Sequence, residues 1–129
     1  MIFSVALCLT GCNRVIKPMT SYLTIRSDDA YSGYTETQLL VEYLTSRHEL
    51  IPCDFMSYES KPGLPWLRVV LADCGSTGNY AIDGRYSTRI NVVELICSDL
   101  GDPNWYQAVG DRIAKFLRWQ LIPGKVDFD

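Results

Sequence analysis

The chain predicts an α+β fold, a single mainly antiparallel sheet of four to five strands with two helices packed on one face. Three observations carry this expectation. Strand-like segments rich in β-branched and apolar residues recur between turn residues, as in SYLTIRS (21–27), WLRVVLAD (66–73) and RINVVELICS (89–98). Two stretches carry helical periodicity instead, one early and one at the C-terminal end. Their order reads β-α-β-β-(β)-β-α, with every strand but the first between the helices. At 129 residues one domain is expected, and a chain of that length buries well over half of its unfolded surface.

The first strand is SYLTIRS, in which Tyr22, Thr24 and Arg26 alternate with Leu23 and Ile25. DDAYSG (28–33) is a loop by composition. The first helix follows in YTETQLLVEYLTSRHEL. Thr35 and Gln38 fit a capping box, Tyr34 and Leu39 a hydrophobic staple, and Leu39, Leu40, Tyr43 and Leu44 share one face. Pro52 ends any continuation. CDFMSY (53–58) is a strand, ESKPGLP a turn, and WLRVVLAD a second strong strand.

CGSTG is loop, and Asp83-Gly84 within NYAIDGRYS favours a type I′ hairpin turn. RINVVELICS is apolar on both faces, as a central strand would be. The last helix opens at Asp102, a natural N-cap, with Pro103 at its first position, where the missing N–H costs nothing. Trp105, Val109, Ile113, Phe116 and Gln120 lie near one stripe, with Trp105 in the core. Pro123-Gly124 stops this helix, and KVDFD is a tail.

The net charge is −3. Without Arg14 and Lys17 of the first eighteen residues, ten basic side chains face fifteen acidic ones, so the body stands near −5. The basic residues are scattered, which excludes a nucleic-acid binder and suits a basic protein partner. No apolar run reaches the ~20 residues that span a bilayer. Cys8, Cys12, Cys53, Cys74 and Cys97 form no CxxC pair, and His48 is the sole histidine, so no metal site or disulfide framework is expected, and no cofactor. Free, mostly buried thiols suit a reducing cytoplasm.

MIFSVALCLTGCNR (1–14) has two readings. Leu9-Thr10-Gly11-Cys12 matches a lipobox, which would anchor the protein to the periplasmic membrane through a lipid on Cys12. Yet no Lys or Arg precedes the apolar run, as an export signal requires, and Met19-Thr20 leads directly into the first strand. The cues favour a start at Met19 and cytoplasmic residence. Residues 1–18 are then a leader outside the fold, and 19–129 form the domain.

Few residues suggest chemistry. Glu94, inside an apolar strand, is either an acid/base carboxylate of raised pKa or a structural group, on the less covered part of the sheet or paired with an arginine such as Arg68, and the structural reading is favoured. Asp73 could form a carboxylate pair with it. His48, with Arg47 and Glu49, fits a helix C-terminus better than a Cys-His pair with Cys53. CGSTGN lacks the lysine and spacing of a phosphate loop. Tyr31, Tyr34, Tyr58, Tyr80 and Tyr86 lie in or beside loops, either as interface anchors or half-buried. Asp28, Asp29, Glu59, Asp73, Asp83, Asp99 and Asp102 fall at turns or element ends, gathered as a negative patch or scattered.

The segment TRINVVELICSDLGDPNWYQAVGDRIAKFLRWQLI (88–122), with a looser echo in MTSYLTIRSDD, resembles immunity proteins of bacterial polymorphic toxins, contact-dependent growth inhibition systems included. The resemblance implies a non-enzymatic, single-domain inhibitor that binds a cognate toxin, nuclease-type effectors being the expected class. Occlusion by acidic, tyrosine-containing loops selects Asp28, Asp29, Tyr31, Asp73, Tyr80 and Asp83 as partner-binding residues. The alternatives are a small enzyme using Glu94, Asp73 and His48, and a membrane-anchored binding lipoprotein.

Overall fold

Six strands hydrogen-bond side by side in the order β3-β4-β5-β7-β1-β8, every neighbouring pair antiparallel. They are β1 (Thr20–Arg26), β3 (Leu50–Asp54), β4 (Ser57–Ser60), β5 (Leu67–Ala72), β7 (Val92–Ser98) and β8 (Gln120–Asp127). Two short strands, β2 (Thr35–Glu36) and β6 (Arg89–Ile90), pair separately. The helices are α1 (Thr37–Thr45) and α2 (Pro103–Leu117). The structure, a computed structural model, describes residues 20–80 and 85–127. The leader at 1–18 and the Asp83-Gly84 turn lie outside the described residues. Among the described residues no helix is long and apolar enough to cross a membrane.

The α+β class holds, and the sheet is larger than the four to five strands expected. CDFMSY is a tight hairpin, not one strand: β3 ends at Asp54, whose side chain accepts from Met56 N at 2.8 Å, and β4 starts at Ser57. The sixth strand comes from the segment assigned to a helix end and a tail. α2 stops at Leu117, Arg118 turns left-handed (φ 62°), and Trp119 N bonds back to Ala114 O at 2.9 Å. The chain then reverses and pairs with the free edge of β1. Pro123 and Gly124 lie within β8, where the β1 register shifts between Ser21 and Leu23. An edge strand with a bulge accommodates a proline that cannot donate.

Both helices cover one face. Leu23, Ile25, Val69, Leu71, Val93 and Leu95 point toward it and pack with Leu40 and Leu44 of α1 and Val109 and Ile113 of α2. Tyr43 stacks on Phe116 with ring centroids 4.2 Å apart, joining the helices to each other. β7 is an interior strand, as its two apolar faces implied. Asp102 caps α2 by accepting from Asn104 N at 2.9 Å.

The start of α1 differs from expectation. Thr35 and Glu36 pair with Ile90 and Arg89, so the chain is still extended at the proposed capping box. The helix begins one residue later than that box implies, at Thr37, with Thr37 N donating to Thr88 O at 2.9 Å and Thr37 Oγ1 to Ser87 O at 2.6 Å. Leu39 is half exposed, so no staple with Tyr34 forms and the buried face narrows to Leu40 and Leu44.

Candidate functional site

The loop after β1 and the loop after β5 leave the same end of the sheet, because β1 and β5 both flank β7 antiparallel to it. Between β6 and β7 sits Asn91, fully buried. Its amide donates to Tyr31 O at 3.1 Å and Gly75 O at 2.8 Å, while its carbonyl accepts from Cys74 N at 2.9 Å. One side chain thus laces three backbone groups from two loops. Tyr34 Oη adds a bond to Asp73 Oδ1 at 3.2 Å. Gly78 (φ 84°) lies so close to Tyr31 that an added Cβ would sit 3.1 Å from the hydroxyl.

This lacing sets four of the selected residues along one rim. Asp29 and Asp73 are exposed. Asp28 accepts from Ala30 N at 3.0 Å, Ser32 N at 3.1 Å and the Ser32 hydroxyl. The Ser32 hydroxyl, with those amides, holds its carboxyl below the ordinary carboxylate range. Tyr31, with positive φ (57°), closes the turn. Asp83 lies outside the described residues. The other loop acids are elsewhere: Asp99 and Asp102 are at the opposite end of the sheet, and Glu59 pairs with Arg68 at 3.7 Å.

The tyrosines turn inward. Tyr31 and Tyr80 pack on Ala72, Cys74 and Val92, on the face away from the helices. The Arg26 guanidinium lies 5.0 Å from the Tyr31 ring centroid and donates to its hydroxyl at 3.1 Å. Tyr80 Oη donates to Glu94 Oε1 at 2.7 Å, and Thr24 Oγ1 donates to Glu94 Oε2 at 2.6 Å. Burial, reinforced by the Glu94 carboxylate, raises the Tyr80 phenol well above its ordinary value. Tyr31 and Tyr80 therefore hold the loops to the sheet, while Asp29 and Asp73 stay exposed.

Glu94 is satisfied, though by two hydroxyls and not by Arg68, which instead stands between Asp54 at 3.8 Å and Glu59. Asp73 is not its pair, since its carboxylate takes Tyr34 Oη and Gly75 N. His48 is in the exposed turn beyond α1, on the helix side, whereas Glu94 faces the side away from the helices. The structure does not assemble these three. Among the described residues no group of His, Cys, Asp and Glu gathers as metal ligands. Cys74 and Cys97 are buried free thiols, and Cys53 is exposed on β3.

Sequence reasoning missed Asn91, the residue that builds the rim. Its signal was a lone amide in the apolar run RINVVELIC, where a polar side chain persists only if its bonds are met. The chain matches no protein-family model, no curated protein and no solved structure.

Proposed function

We propose that this protein is a non-enzymatic inhibitor of the immunity-protein type, which neutralises a toxic protein by covering a basic surface on it. The observation that carries the reading is the Asn91 lacing, which presents Asp28, Asp29 and Asp73 on one ordered rim. A rim already ordered loses little conformational freedom on binding. Carboxylates collected on one side steer a basic partner in and set its orientation. The acidic body supports the same choice of partner. Arg26 and Arg89 lie beside the rim, each stacked on a tyrosine, Tyr31 and Tyr34 respectively. A nuclease-type toxin fits this chemistry, since a surface that grips nucleic acid is itself basic.

The test is co-expression of the full chain with the toxic protein encoded beside it. The pair should migrate together on a sizing column and restore growth. Replacing Asp29, whose exposed carboxylate braces no loop, by Lys should weaken both effects at least tenfold while the melting temperature stays close to that of the parent. Adding Asp28→Lys and Asp73→Lys should abolish both effects and lower the melting temperature, because these two carboxylates also accept loop hydrogen bonds. Independent migration of the parent chain and the toxin would overturn the proposal.

A further inference from the structure

The end of the sheet opposite the rim carries apolar side chains in water. β7 closes there in a turn, with Gly101 N bonded to Ser98 O at 3.1 Å, and Leu100 at its tip is 82% exposed. The β5–β7 ladder ends where Leu67 pairs with Cys97, and Trp66 and Ser98 are the residues next along their two chains. The Tyr106 hydroxyl binds the two together, donating to Trp66 O at 2.5 Å and accepting from Ser98 N at 3.3 Å. Trp66 is 43% exposed and Leu64, just before it, 39%. An added Cβ at Gly101 would collide with the Tyr106 hydroxyl, so this turn is held in place.

Next to the turn is a hollow of about 330 Å³ between α2 and the sheet. Its apolar lining includes Leu23, Cys97 and the Tyr106 ring, and its polar lining Ser21, Asp99 and Gln107. That volume is at the lower limit of ligand pockets, roughly 300 Å³, which suits one long side chain better than a metabolite. A lysine or arginine would lay its aliphatic stem on the apolar lining and its charge at the Asp99 carboxylate. Among the described residues no cation pairs with Asp99 or Asp102, so the charge beside the hollow has no partner among them.

We propose that this end is a docking surface for a basic polypeptide segment bearing an apolar residue, with Leu100 and Trp66 meeting the apolar residue and Asp99 taking the cation. The charge next to Leu100 selects this occupant. A second copy would bring like charges together, and a plain apolar peptide would leave Asp99 desolvated and unpaired. The surface lies away from the rim and stands whether or not the rim binds a toxin.

The probe is the octapeptide amide (Leu-Lys)₄, titrated into the full, ¹⁵N-labelled chain, with (Leu-Glu)₄ and (Gly-Lys)₄ as controls. Amide shifts should centre on 64–66 and 98–107 for (Leu-Lys)₄ and be absent or at least tenfold weaker for both controls. The double variant Asp99→Lys/Leu100→Ser changes two exposed turn residues, so its melting temperature should match the parent while affinity falls at least tenfold. Asp28→Lys/Asp29→Lys should bind within twofold of the parent. No binding, shifts centred on 28–34 and 73–80, equal binding of (Gly-Lys)₄, or an unchanged affinity of the Asp99/Leu100 variant would each overturn the proposal. All of these leave the rim reading to its own test against the toxin.

Discussion

Replacing Asn91 by Ala should disconnect the rim from the sheet. The substitution removes two bonds to carbonyl oxygens, Tyr31 O and Gly75 O, and the acceptor of Cys74 N. The carbonyls sit in loops that water reaches, so each loss is worth about 1 kcal/mol. Cys74 is buried, and its N–H would be left without a partner at about 1–3 kcal/mol. The whole effect is then about 3–5 kcal/mol, a large share of the ~5–15 kcal/mol that holds a domain together. Urea unfolding measures it, and hydrogen exchange localises it, with protection lost first at Cys74 and then across 73–80. Asn91→Asp sharpens the test. Its carboxylate would face two carbonyl oxygens in a buried site, which raises its folded-state pKa above the unfolded value. The folded state then holds the extra proton in the window between the two values, so stability falls as pH rises through that window. This variant should be more stable near pH 4 than near pH 7, relative to the parent. A loss below ~0.5 kcal/mol for Asn91→Ala, or unchanged exchange at Cys74, would refute the lacing argument.

Glu94→Gln retains one acceptor for the two hydroxyls of Thr24 and Tyr80, and the loss of a charge-assisted bond should cost about 1–2 kcal/mol by urea midpoint; a more stable variant would contradict the structural role assigned here. Alkylation at pH 8, resolved by peptide mass, should label Cys53 well before Cys74 and Cys97, because Cys53 is exposed while burial pushes the Cys97 thiol up to about 12 and raises Cys74 as well. Early labelling of Cys97 would show that the core beneath α2 opens readily. Arg118→Gly should stabilise by about 1 kcal/mol, since Arg118 holds a left-handed conformation that glycine adopts without strain; a lower melting temperature would mean that the arginine side chain contributes something beyond the cap.

Local patterns determined much of this protein. The alternation in β1, the doubly apolar β7 and the Asp102-Pro103 opening of α2 each follow from rules acting within a few residues, and each stands as the sequence implied. The acids at 28, 29 and 73 were also legible as loop residues. Only the tertiary structure decided the rest, because it depends on partners far along the chain. Thr35 and Glu36 have a helix-start pattern yet extend to meet Arg89 and Ile90, a pairing no local rule contains. Gln120–Asp127 carries a Pro-Gly stop and becomes a strand because β1 offers an open edge. Tyr31 and Tyr80 were legible as loop tyrosines, but that their rings pack partly buried on the uncovered face of the sheet was not. Asn91 acquires its importance only when two loops separated by forty residues of chain arrive beside it. Composition and periodicity set which segments become strands and helices; long-range hydrogen bonds and burial set which of their side chains stay exposed.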